Sequence, residues 1–458
     1  MSEAHLSRRI SLLQASAINM IDMVGIGPFV VMGFVVEKMH EQYSFLYAWI
    51  AGALLSFIDG MIWSELGATF PLAGGSYNFL KEGFGEKWGK PMSFLFVWQT
   101  MIQAPLVIAS AAIGFAQYFN YIMPLNEIES KIVSGAVVVL IVFLLYRKIE
   151  AIGKISVLLW TGVFVIMGWI IIGAFMHGNI TMPVQHINDG LELNSAFAAG
   201  LGFACVKSVY SYLGYYNVCH LGGEIINPEK NIPRSMFISI AVICFLYLMM
   251  NISVASVLPL HDMSTSSFVV SEYINAIAGP TAAVIATAII LWVAFASVFS
   301  ATLGYSRIPY AAAKDGAFFS VFAKLHPTKN FPYVSLLILG AVAFVFSLLF
   351  KLSDVITAIL AMRILIQFVG QAIGLLLLHK RKGKSFFKWK MPLYPLPIIL
   401  AIIMWLFIFY STEGKMMLIA GCIIFAGVIA YLIKAAYRKE FPFKEEDELE
   451  EGIENIGN

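Results

Sequence analysis

Apolar residues run along this chain in long blocks, separated by short polar stretches. A helix needs about 20 predominantly apolar residues to cross a bilayer. Blocks of roughly that kind occupy 10–36, 45–70, 91–119, 131–146, 152–176, 195–221, 235–258, 281–306, 333–350, 354–379, 395–411 and 415–437. The pattern predicts an all-α integral membrane protein of about twelve spanning helices, numbered here as spans 1 to 12 in that order. The longest loops between them, 177–194 and 259–280, are too short to fold as separate domains.

Two spans are interrupted. Lipid-facing backbone must satisfy its own hydrogen bonds, so a spanning helix rarely tolerates a break without a reason. Span 1 carries Asp22-Met23-Val24-Gly25-Ile26-Gly27-Pro28-Phe29 at its middle, and span 6 carries Tyr210-Ser211-Tyr212-Leu213-Gly214-Tyr215-Tyr216-Asn217. Glycine and proline lower helix propensity. Each break opens a block of five spans, and the two blocks enter from opposite sides. That arrangement predicts a 5+5 inverted repeat, residues 10–176 and 195–379, with accessory helices 11 and 12 at 395–437. Unwound segments in such repeats meet at the bilayer midplane and hold a ligand. Free N–H groups there attract a carboxylate, and free carbonyls attract an ammonium. The alternative reading is that Gly25 and Gly27 only let helices pack closely.

Composition removes the soluble classes. The chain is 59% hydrophobic and 13% charged, against about a quarter charged in a soluble domain. A net charge of +2 gives no footprint for nucleic acid. Lys and Arg are unevenly distributed. Arg8 and Arg9, Lys81 to Lys90, Arg147 to Lys154, Lys230 and Arg234, Arg307 to Lys329, Lys380 to Lys390 and Lys434 to Lys444 fall on one set of loops. The opposite loops hold Lys38, Lys131, Lys351 and Lys415. The basic set faces the cytoplasm by the positive-inside rule. Residues 1–9 and 438–458 are therefore expected as cytoplasmic ends of a multi-pass protein, with the acidic stretch Glu445 to Glu454 in the tail. The compact loops suit a bacterial inner membrane. Cys205, Cys219, Cys244 and Cys422 lie in apolar stretches and read as packing residues.

Ionisable residues at membrane depth are costly and mark functional candidates. Asp22 sits one turn before Gly25 and either receives an ammonium, binds a proton or caps locally. Lys207, one turn before Ser211, either pairs with Asp22 across the cavity or snorkels to the outer vestibule. Asp59 and Glu65 lie on different faces of span 2, with Glu65 structural or part of an inner gate. Arg363 in span 10 serves a gate or a partner carboxylate. Tyr210, Tyr212, Tyr215 and Tyr216 act as lids or as ordinary packing. Gln103 and Ser110 in span 3 are further candidates.

Several stretches carry a family likeness, in order along the chain. They are Gly25-Ile26-Gly27-Pro28-Phe29; Ser64-Glu65-Leu66-Gly67 with Phe70-Pro71-Leu72-Ala73-Gly74-Gly75-Ser76-Tyr77; Gly214-Tyr215-Tyr216-Asn217 with Gly223-Glu224 to Arg234; Ser306-Arg307 with Ala313-Lys314-Asp315-Gly316; and Lys390 to Pro395. Together they resemble the amino acid–polyamine–organocation superfamily with the LeuT-type fold. The resemblance implies alternating access and a substrate site lined by Met23, Val24, Gly25, Ile26 and Gly27 with Tyr210, Ser211, Tyr212 and Gly214. Some proton-coupled relatives carry a lysine well inside span 5; here Ile155 to Phe175 holds none, and Lys154 sits at the start. Sodium sites in this fold combine span 1 carbonyls with span 8 hydroxyls. Ile21, Val24, Ser297 and Ser300 are the corresponding candidates, although Ala301 stands where another hydroxyl would help and both serines can bond their own helix.

The expected function is a secondary transporter of small or neutral L-amino acids. The runner-up is a polyamine or monoamine transporter with Asp22 as the amine anchor. Enzyme motifs such as His-x-x-x-His or Gly-x-Ser-x-Gly do not occur. No cofactor is expected, and the partners are a small-molecule substrate, a coupling proton or sodium ion and the lipid bilayer.

Overall fold

The computed structural model describes residues 7–147, 149–189, 191–412 and 414–443, with backbone alone considered at 149–153, 353 and 354. The acidic tail and the first six residues lie outside the described residues. Each of the expected blocks coincides with a helix or a broken pair of helices. Eight helices are long and apolar enough to cross a membrane singly, and the pair Leu12–Met23 and Gly27–Lys38 adds a ninth, bent by 42°. Span 6 is Ser195–Tyr212, a turn, and then Asn217–His220. Tyr333–Leu349 and Leu396–Tyr410 are shorter apolar helices and form spans 9 and 11. The chain is an all-α membrane protein of about twelve spans.

Local sequence explains the ends and breaks. Ser11 and Gln14 form a reciprocal capping box that starts span 1, and Asn126 with Glu129 does the same for span 4. Pro28 sits in the first turn of the second half of span 1, where its missing N–H costs nothing. Span 6 ends its first half where Leu213 turns to extended backbone and Gly214 takes φ of 123°, a conformation that favours glycine.

Three expectations need correction. Span 3 begins at Ser76 rather than residue 91, because Gly85 (φ 73°) joins a leading helix to the main one. Arg381 donates to the carbonyls of Glu82 and Gly83 at 2.6 and 2.7 Å, satisfying the end of that leading helix. The stretch after span 8, which resembles the family's loop there, is a helix, Arg307–Lys314, buried from Arg307 to Ala313. Cys422 is exposed on the outer face of the bundle, whereas Cys205, Cys219 and Cys244 are buried as expected.

Spans 1, 3, 6, 8 and 10 converge around the two breaks, while span 2 packs on spans 6 and 7 behind them. The breaks touch: a methyl added at Gly214 would lie 2.7 Å from the backbone of Asp22 and Met23. On the basic side, backbone segments from different spans are tied together. Ile10 pairs with Ile225, and Ala73 with Leu221, through isolated backbone bridges. Arg307 grips Glu224 there in a buried two-pronged ion pair, Nε to Oε1 at 2.8 Å and Nη2 to Oε2 at 3.2 Å.

Candidate substrate site

The helix breaks leave polar backbone unpaired at the centre of an apolar bundle. The second half of span 1 starts with Gly27, and its first N–H groups have no intrahelical acceptor. The Tyr247 hydroxyl of span 7 lies 2.7 Å from the Met23 carbonyl and 3.2 Å from the Ser211 carbonyl, so one donor serves both breaks.

A cavity of about 50 Å³ opens here, room for a few water molecules. Asp22, Met23, Gly25, Ile26 and Gly27 line it from span 1, and Tyr210, Ser211, Leu213, Gly214 and Tyr216 from span 6. Ser297, Ala301 and Tyr305 close it from span 8, and Ile359 and Arg363 from span 10. Most residues expected from the breaks are thus gathered at one cavity.

Three expected residues stand elsewhere. Val24 is buried and donates its N–H to Met20. Tyr212 packs on Trp49 and Tyr247 and bonds the Trp49 carbonyl at 3.1 Å. Lys207 donates to Thr357 at 3.0 Å and lies over the Phe34 ring. No ion pair joins Lys207 to Asp22 among the described residues. The reason is local: Thr357 and Phe34 offer Lys207 a polar and an aromatic partner on its own side of span 6.

The cation that shares the cavity with Asp22 is Arg363 instead. Its guanidinium is 1% exposed, donates through Nη1 to the Tyr216 hydroxyl, and lies 5.3 Å from the Tyr305 ring centroid. Its Nε and Nη2 have no acceptor among the described residues. Arg363 ends a helical segment that continues as a wider π-helical turn, Ile364–Gly370, a distortion often found at functional positions. Sequence reasoning singled out Arg363 as a buried charge but could not place it, since its neighbours come from three other spans.

Other candidates take supporting positions. Ser110 and Tyr210 share a hydrogen bond of 3.0 Å, so span 3 steadies a cavity ring. Gln103 is buried, with no partner for its amide nitrogen among the described residues. Asp59 accepts from Tyr215 and, at 3.2 Å, from Trp405, which ties span 2 to spans 6 and 11. Glu65 stands 3.2 Å from His379, whose ring is stacked between Phe387 and Tyr394. Ser297 faces Gly25 at the cavity. Ser300 donates to the Ile18 carbonyl at 2.8 Å and accepts from the Asn217 amide at 2.9 Å. An amide donor therefore occupies the hydroxyl proposed for a sodium ion.

The profile of the family described as Amino acid permease matches residues 10–433. The chain belongs to the amino acid permease family. As an amino acid permease of the amino acid–polyamine–organocation superfamily, it is similar along most of its length to several curated proteins. The serine/threonine exchanger SteT of Bacillus subtilis (strain 168) is 26% identical over 415 residues, covering 89% of this chain and 91% of that protein. The large neutral amino acids transporter small subunit 2 of Mus musculus is 25% identical over 455 residues, covering 93% and 81%. The cystine/glutamate transporter of Pongo abelii is 22% identical over 402 residues, covering 86% and 78%.

Proposed function

We propose that this permease is a secondary transporter that binds a small L-amino acid at the breaks of spans 1 and 6 and carries it by alternating access. The observation that carries this reading is the cavity itself: a carboxylate, Asp22, with no hydrogen bond or ion pair among the described residues, and the N-terminal start of a half-helix at Gly27 share it. An ammonium is favoured by the first and a carboxylate by the second. The small volume suits a compact ligand. The family match and the amino acid transporters among the relatives support the substrate class. A guanidinium at the same cavity disfavours a polyamine, whose charges it would repel.

The excess of Lys and Arg on one set of loops supports a cytoplasmic side for both termini. The Ser300–Asn217 contact supports transport without a sodium ion, leaving proton coupling or exchange as the drive. Uptake of radiolabelled amino acids into proteoliposomes tests the function. Saturable uptake of at least one L-amino acid is expected; transport of amines alone would replace the reading with the amine-transporter alternative.

A further inference from the structure

We propose that the free edge of Arg363 is a second carboxylate subsite, so that the preferred substrate is an amino acid with an acidic side chain. The inference rests on the amino acid reading and deepens it. Arg363 is 1% exposed and lines the cavity. Only its Nη1 is engaged, while Nε and Nη2 have no acceptor among the described residues. Buried N–H groups of a charged guanidinium are rarely left unpaired, because desolvation without a partner is costly.

The two idle nitrogens are the pair that suits a carboxylate. Nε and one terminal nitrogen lie side by side on the rigid planar fork and match two carboxylate oxygens. The molecule itself shows that match. Arg307 holds Glu224 through Nε and Nη2, while its Nη1 bonds the Ser306 hydroxyl at 2.9 Å and the Leu303 carbonyl at 3.3 Å. Arg363, equally buried, lines a cavity, and its Nε and Nη2 meet no glutamate among the described residues.

Three complementary features then meet three charges of one ligand. Asp22 accepts the ammonium. The N–H groups at the start of the second half of span 1 donate to the α-carboxylate. Arg363, held over Tyr216 and Tyr305 on the far wall, takes the side-chain carboxylate. Asp22 does not neutralise Arg363 by direct contact: no hydrogen bond or ion pair reaches its carboxylate among the described residues.

The test compares glutamate with glutamine, and aspartate with asparagine, as competitors for uptake in proteoliposomes of the unaltered protein. Each pair differs by one charged group at nearly constant shape. The acid is expected to compete about tenfold to a hundredfold better, the size of a charge-assisted hydrogen-bonded contact. In Arg363→Gln that ratio is expected to collapse toward one, and in Arg363→Lys to recover in part, because lysine keeps the charge without the fork. Equal competition by acid and amide in the unaltered protein, with amino acids still transported, would overturn the proposal and leave the permease reading intact. An equal loss of acid and amide in Arg363→Gln would also overturn it, by assigning the edge to the α-carboxylate. Failure of every amino acid to be taken up would remove both readings.

Discussion

The Tyr247 hydroxyl stands within hydrogen-bonding distance of the carbonyls of Met23 and Ser211, one from each broken helix. A single side chain from span 7 thereby holds the two halves of the site in register. Buried carbonyls stripped of a donor are destabilising by about 1–3 kcal/mol. Tyr247→Phe keeps the ring contacts with Trp49 and Tyr212 and removes only the bridge. The melting temperature of the purified protein is expected to fall accordingly, with weakened substrate binding. An unchanged melt and unchanged affinity would mean the carbonyls are satisfied by water.

Gly214 has a different and stricter role. Its φ of 123° and the backbone of Asp22 and Met23 at 2.7 Å leave no place for a methyl group. Gly214→Ala is expected to abolish uptake, whereas Gly421→Ala, where a methyl would meet nothing within 4 Å, is expected to leave it unchanged. Uptake by both variants at matched expression checks the pair.

On the basic side, Arg307 and Glu224 are both nearly fully buried, with side chains 3% and 1% exposed. Removing one member of such a pair leaves an uncompensated charge, at a cost of about 3–5 kcal/mol. Glu224→Gln and Arg307→Met are each expected to lower the melting temperature strongly. The double variant is expected to lose less than the sum of the two, which thermal melts of all three measure directly.

Span 8 bears on the coupling ion. The Asn217 amide donates to both the hydroxyl and the carbonyl of Ser300 at 2.9 and 3.0 Å, so those oxygens are already committed. Hard cations need several free oxygens. Replacing external sodium with choline is therefore expected to leave amino acid uptake unchanged. A strict sodium requirement would show that Asn217 swings away in the working cycle.

The loops opposite the basic side carry an acid-sensitive tie. Glu41 accepts from Ser264 at 2.6 Å and faces His261 at 3.1 Å, and these contacts hold its carboxyl below the ordinary 4.5. A depressed acid stabilises the fold above its ordinary value, and that contribution is lost as pH falls through the lowered one. Hydrogen exchange at 260–265 is expected to quicken below about pH 4.5, and Ser264→Ala is expected to bring the change in at a higher pH than in the unaltered protein.

Much of the architecture was legible because bilayer thickness forces it on the sequence. The apolar blocks gave the spans, and Gly25, Gly27, Pro28 and Gly214 marked both breaks. The leading helix of span 3 was hidden, since Lys81, Glu82, Glu86 and Lys87 lower its hydropathy while Gly85 turns it out of the main axis. The site was legible along each broken helix and not across helices. Asp22 is legible from its distance to Gly25, but its partner is not: Lys207 reads equally as a pair for it or as a side chain snorkelling to the outer vestibule. Both lysine and arginine sit at membrane depth, and only the packing of span 10 against span 6, with Arg363 over Tyr305 of span 8, shows that Arg363 reaches the cavity. Val24 and Tyr212 were included by adjacency, yet their side of the helix turns them into the bundle.

The central claim is that the cavity recognises an ammonium and a carboxylate together, with Asp22 as the ammonium partner. Heat stabilisation of the purified protein reads this directly, because a ligand at about 100 times its dissociation constant adds about 2.7 kcal/mol to the folded state. The twenty L-amino acids are compared with their decarboxylated amines and deaminated acids, on the unaltered protein and on Asp22→Asn. The account predicts that a compound bearing both groups raises the melting temperature, that neither single-group analogue does, and that Asp22→Asn loses the response. Equal stabilisation by an amine or an acid alone, or a full response in Asp22→Asn, would contradict it.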